Sequence, residues 1–347
     1  MTYDRAAWLN PIISDEVVEA MRIELPQSGE WTEVKIIDKL MRIVGMVSGR
    51  VFIGPELCRN EAYLDAAINY TVDLMKAVRK VATIPPYLRP ILASRSSEVK
   101  KLNKRIVEAG IFLKPVVKAR RQGAEDPDYQ KPNDMLQWML ESQTKFGQKN
   151  DTELARYQLG LSFAAIHTTS TTATNADIQQ ALVESKGVFT SIAMQNMKKL
   201  DSFLKECMRF HLLGPASFQR KVLKTFTLSN GQVIPKGSII EVPTIGIYND
   251  KEFFPDADEF DPLRFYKLRL SKKEQKTGSK QAEVVASAQF VSVGRFFAVN
   301  EIKMIMATLL LNYDLMNPGG SRERHPNLVS GAMTYPDPNR VILLKKL

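Results

Sequence analysis

The chain has 347 residues, 44% apolar and 25% charged, which is the make-up of a globular protein with room for one large domain or two ordinary ones. Its two cysteines, Cys58 and Cys207, exclude a disulfide framework, and no Cys/His run has the spacing of a zinc site. The net charge of +10 is spread out, densest at Lys118–Arg121 and Lys267–Lys280, and reads as solvated surface; no aromatic-interleaved basic motif points to nucleic acid.

Taken in chain order, the first half predicts helix after helix. The N-terminus has no signal-peptide pattern, and no segment reaches the length of a membrane-spanning helix. Trp31–Val47 carries Val34, Ile37, Leu40, Met41 and Val44 close to helical spacing, and Glu61–Ala82 continues the pattern until Pro85, Pro86 and Pro90 break it. Ser97–Arg121 predicts a long charged helix, Gln122–Asn133 a polar loop, and Asp134–Gln143 and Asp151–Asp177 two more helices. Lys198–Arg209 bears the stripe Leu200, Phe203, Leu204, Cys207 and Met208. The texture then changes: Val222–Leu228 predicts a strand, Asn230-Gly231 a hairpin turn, and Val233–Val242, interrupted at Pro235–Gly237, the return strand. Phe296–Leu311 predicts the last long helix, with Ile302, Ile305, Met306, Leu309 and Leu310 on one face, and Arg340–Leu344 a closing strand. The fold class is mainly α with a small β region.

Four short patterns stand in order along these elements. They are Trp31-Thr-Glu-Val-Lys35 at the start of an early helix, Ala164-Ala-Ile-His-Thr-Thr169 in mid-helix, Glu206-Cys-Met-Arg209 on the amphipathic helix, and Phe260-Asp-Pro-Leu-Arg-Phe265 in a loop. Each alone has an ordinary explanation. Glu206 and Arg209 fit a surface ion pair, Trp31 and Lys35 fit packing plus a long cationic stem, and paired threonines can bond the previous helical turn. Their order and combination resemble the cytochrome P450 family, and their wording is similar to fungal microsomal members of secondary metabolism, including the ent-kaurene-oxidase-like group. The likeness is most specific in Asn196–His211.

The resemblance implies a single P450-like domain over residues 1–347 and a truncated form of that fold. Glu206, Arg209 and Arg264 match a buried salt-bridged network. Thr168 matches the threonine that helps deliver protons to iron-bound oxygen, with Ala164 and Ala165 as the small residues that leave room for it. His167 stands where the family commonly has an acid, open either to a proton-relay role or to a structural one. Trp31, Lys35 and Arg220 fall where the family contacts the heme propionates. Heme b as cofactor, NADPH electrons through a partner cytochrome P450 reductase, a lipophilic terpenoid-like substrate and an endoplasmic-reticulum location follow by the same resemblance. Peripheral membrane contact or a cytoplasmic location stays open for a chain with no spanning segment of its own.

The pattern breaks at the family's defining site, a Phe-x-x-Gly-x-x-x-Cys loop whose thiolate binds the iron and favours O–O cleavage. Here Phe290-Val-Ser-Val293 runs straight into Gly294-Arg-Phe-Phe-Ala298, and no cysteine lies near. No axial metal ligand is therefore expected, Cys207 reads as a small core residue, Cys58 as remote, and His211 or His325 could offer only an imidazole. A second internal loss is expected near 178–190, beside the one at 293–294, and the N-terminus reads as truncated. Three readings stay open: a family member inactive as it stands, an active heme-thiolate monooxygenase whose gene model has lost exons, and a non-catalytic binding or regulatory protein.

Overall fold

A computed structural model of the chain describes residues 3–146, 150–175, 197–212, 214–274, 295–321, 324–330 and 333–347. Its first helix, α1 (Tyr3–Glu24), precedes a strand, β1 (Thr32–Lys35), and then α2 (Ile36–Phe52) and α3 (Glu61–Ala82). After the proline break come the one-turn α4 (Arg89–Leu92) and the long α5 (Ser97–Gly123), then α6 (Met135–Phe146), α7 (Asp151–Asn175) and α8 (Lys198–Phe210). A β region follows, with β2 (Ser217–Lys221), β3 (Phe226–Thr227), β4 (Val233–Ile234) and β5 (Ile239–Val242). The chain ends through α9 (Thr244–Tyr248), α10 (Arg264–Glu274), α11 (Arg295–Asn312), β6 (Tyr313–Met316), β7 (Asn327–Ser330), β8 (Met333–Pro336) and β9 (Val341–Lys346).

Local chemistry sets several of these limits. The Asn60 side chain accepts from the amides of Ala62 and Tyr63 and starts α3, and Ser96 does the same for Val99 at α5. Gly231, at φ +85°, makes the tight turn between β3 and β4. Where α2 meets α3, a side chain at Gly49 would put its Cβ 2.7 Å from the Tyr63 ring, so only glycine allows that approach.

α7 lies at the centre, packed by α2, α3, α5, α8 and α11. The main core joins buried residues of α1, α2, α3, α5, α7, α8 and α11, including Leu9, Ile43, Leu64, Leu113, Ile166, Leu204, Cys207 and Ile305. A smaller cluster, Tyr248, Phe254, Ala257 and Phe265, lies under α10. β9 is the middle strand of an antiparallel sheet ordered β1-β9-β6, while β2-β5, β3-β4 and β7-β8 are separate pairs.

Four expectations need correction. The predicted helix at Trp31–Val47 begins as strand β1, because Thr32–Lys35 pairs with Val341–Leu344 and the helix starts only at Ile36. This tertiary pairing overrides the helical spacing of the apolar residues. The strand predicted at Val222–Leu228 divides: Ser217–Lys221 pairs with Ile239–Val242, Val222 lies between strands, and only Phe226–Thr227 joins the hairpin. α11 is buried on every side from Glu301 to Leu310, not along one stripe. Arg120, inside the stretch expected to be solvated, is buried against Asp134 at 2.6 Å. The expected internal losses at 178–190 and 293–294 lie outside the described residues, apart from their flanks. No helix among the described residues is long and apolar enough to cross a membrane.

Candidate functional site

The strongest constellation forms where α8 meets the loop that leads into α10. The stripe of α8 buries Leu200, Phe203, Leu204 and Cys207, and this carries Glu206 and Arg209, one turn apart, into the interior with it. Glu206 is fully buried and Arg209 nearly so, which excludes a surface pair. Arg209 Nε and Nη2 donate to the two carboxylate oxygens of Glu206 at 2.9 and 2.8 Å. Arg264, first residue of α10, donates from Nε to the same Glu206 Oε1 at 3.2 Å, and the Asp261 amide adds a fourth bond at 3.0 Å. One buried carboxylate thus faces two guanidinium groups and a backbone amide, which is the bonding a desolvated charge requires.

The other arms of these arginines organise the loop at 255–259. Arg209 donates to the carbonyls of Tyr248, Ala257 and Glu259, and Arg264 to those of Pro255, Asp256 and Glu259. A loop that supplies so many carbonyls to buried cations has no secondary structure of its own to satisfy them. Asp256 holds a positive φ of 57°, so the cradle maintains a backbone conformation that a non-glycine residue seldom adopts. The three residues expected to form one network are brought together.

Thr168 lies on α7 with its side chain exposed. Its Oγ1 donates to the Ala164 carbonyl at 2.7 Å, one turn earlier. Tyr157, Gly160, Ala164 and Thr168 share one exposed face of this otherwise enclosed helix, and a Cβ at Gly160 would meet nothing within 4 Å. His167 is not on that face. Its Nε2 lies 2.8 Å from the Ile68 carbonyl of α3, and burial holds the ring below the usual histidine range.

Trp31 and Lys35 are exposed at β1, in the sheet with β9 and β6, while Arg220 is exposed on β2 in a different pair. The helical setting in which the resemblance gave Trp31 and Lys35 a propionate role is absent. His211 closes α8, stacked on Phe260 with ring centres 5.9 Å apart, and burial aided by Arg324 pushes it down to about 4. His325 is exposed.

Three buried polar groupings escaped the sequence reading. Glu301 of α11 is fully buried, accepts from Ser48 Oγ at 2.7 Å, and has no partner for Oε2; burial pushes its carboxyl up to about 8. Asp201 sits among Lys205, Arg269 and Lys303, whose charges hold it ionised against the cost of burial. Arg120 joins Asp134, Glu56 and the Ile53 carbonyl. A glutamate inside an apolar run was the available signal for Glu301; for the other two, the partners are distant in sequence.

A thiolate heme centre does not fit the residues present. Cys58 is buried beside Glu16, with its sulfur 3.9 Å from a carboxylate oxygen, and burial with that charge pushes its thiol up to about 12. Cys207 packs in the core on α8, and no cysteine follows it in the chain. A buried thiol beside a carboxylate opposes the thiolate form that iron ligation needs.

Residues 9–343 match the family model described as cytochrome P450. The cytochrome P450 monooxygenase ATR3 of Stachybotrys chlorohalonatus is 38% identical, the match covering 96% of this chain and 76% of that protein. The cytochrome P450 monooxygenase BOA4 of Botryotinia fuckeliana is 36% identical over 94% of this chain and 70% of its own length. Among solved structures, the retinoic acid bound cyanobacterial CYP120A1 superposes with a TM-score of 0.71 at 20% identity, covering 100% of this chain and 76% of that one. At that identity the likeness concerns the fold.

Proposed function

The chain belongs to the cytochrome P450 family, and from that premise we propose that it is a fungal secondary-metabolism member which keeps the structural core and lacks the heme-thiolate chemistry. The observation that carries this reading is the cysteine inventory: two thiols, both buried away from the segment before α11, and none after Cys207. Glu206, Arg209 and Arg264 make a network that needs no cofactor for its own bonding. Thr168 and the small residue Ala164 present the open face of α7 on which an active relative would place oxygen and a lipophilic substrate. Heme b, a reductase supplying NADPH electrons, a terpenoid-like substrate and an endoplasmic-reticulum setting belong to that ancestral activity. Full-length protein reconstituted with heme, reduced and exposed to carbon monoxide, is expected to lack the absorbance band of a thiolate-ligated iron; its presence overturns the proposal.

One observation favours a second reading, that of an active enzyme shortened in its gene model. The match to ATR3 runs over 365 positions but uses 96% of a 347-residue chain, so that relative carries residues inside the aligned stretch that this chain lacks. A transcript that encodes a Phe-x-x-Gly-x-x-x-Cys loop before Gly294 establishes this alternative; a transcript that reads Val293-Gly294 without interruption removes it.

A further inference from the structure

The geometry of His167 gives it a task that neither proton transfer nor simple core packing describes. A carbonyl only accepts, so the 2.8 Å contact to Ile68 requires Nε2 to carry its proton and donate. At 100° per residue, His167 stands one step around the helix from Thr168, on the flank of the open face. α3 is therefore the wall beside the Ala164–Thr168 surface.

That wall does not act alone. Arg105 of α5 donates to Asp73 at 2.7 Å and to Asp65 at 2.8 Å, and Lys101 pairs with Asp73 at 2.8 Å. Asp73 is buried, so these bonds bind α3 and α5 into one arm. The arm is tied down at its base. Arg42 pairs with Glu61 at 2.7 Å, Tyr63 Oη lies 3.5 Å from Ser162 Oγ, and Arg120 is fixed to Asp134 at the end of α5. Its far end carries exposed Tyr87, Ile91 and Leu92. Among the described residues, the hydrogen bond from α7 to α3 beyond Tyr63 is the one from His167.

We propose that His167 is a positioning residue, the latch that holds the α3–α5 arm closed along the flank of the open face of α7. The proposal rests on the reading of that face as the ligand-facing surface only for what the arm would cover. The latch itself is tested without heme or ligand, so its failure and that of the proposed function are separate.

The experiment is hydrogen–deuterium exchange on the full chain with His167→Gln and His167→Leu. A glutamine amide reaches about as far as imidazole Nε2 and keeps the donor; leucine does not. The expected result for His167→Leu is exchange about tenfold faster in α3 beyond Ile68 and in the first turns of α5 together, the loss of one net hydrogen bond, with α11 and the Arg120 end unchanged and His167→Gln close to the natural chain. Should the leucine variant not fold, His167→Asn, whose shorter amide falls short of the carbonyl, takes its place. Equal protection in all variants, or faster exchange spread over the whole chain, overturns the latch.

Discussion

Replacing Glu301 by glutamine should change how stability depends on pH. The carboxyl is fully buried in α11, with one donor, Ser48 Oγ, and an unpartnered second oxygen. Unfolded, it releases its proton near 4.5; folded, burial raises that to about 8. The folded chain therefore holds a proton that the unfolded chain has lost across this window. Stability is full below about 4.5 and falls as pH rises towards 8. At about 1.4 kcal/mol per unit, the full fall is on the order of 5 kcal/mol. Glu301→Gln removes that dependence but leaves an amide N–H without a partner, at a constant cost of about 1–3 kcal/mol. The variant should thus be the weaker protein near pH 5 and the stronger near pH 9. Urea melts of both chains across that range check this, and groups common to both cancel in the difference. Parallel stability curves would refute the reasoning.

Glu206→Gln should cost about 3–5 kcal/mol in urea unfolding, since it leaves the buried Arg209 without its counter-charge. Arg264→Ala should cost less, because Arg209 remains on the carboxylate. Thr169 is buried with an unpartnered hydroxyl, so Thr169→Val should raise stability by about 1 kcal/mol. The exposed neighbour Thr168, changed to valine, should stay within about 0.5 kcal/mol; thermal melts of the two variants check the contrast.

The helices were legible where an apolar stripe had its own period and its own caps. α3 matches Glu61–Ala82 residue for residue, and the breaks at Pro85 and Asn230-Gly231 fall where backbone chemistry demands them. β1 was misread because Val34, Ile37 and Leu40 suit a helix, while the deciding partner is β9, some three hundred residues away. α1 was not predicted at all, and its buried face is recognisable only against α2 and α11. The network of Glu206, Arg209 and Arg264 was legible by resemblance, yet the spacing of Glu206 and Arg209 alone fits a surface pair equally well. Only the burial of α8 separates the two. His167 shows the converse: its place beside Thr168 suggested chemistry, and the structure turns it towards α3.

The retained residues therefore carry uneven weight as evidence for function. Glu206, Arg209 and Arg264 satisfy one another and the carbonyls of the loop at 255–259, so their bonding would hold whether or not iron were bound. They testify to the fold. Thr168 donates to its own helix and faces open space, and nothing in its bonding stabilises the chain beyond one turn. The loop cysteine has no structural substitute: Cys58 and Cys207 are each enclosed by groups that oppose a thiolate or by the core itself. A chain can thus keep the arginine network, and with it a strong likeness to its relatives, after the ligand for the iron is gone. Restoring activity would require the missing loop, whereas Thr168 already stands on the open face.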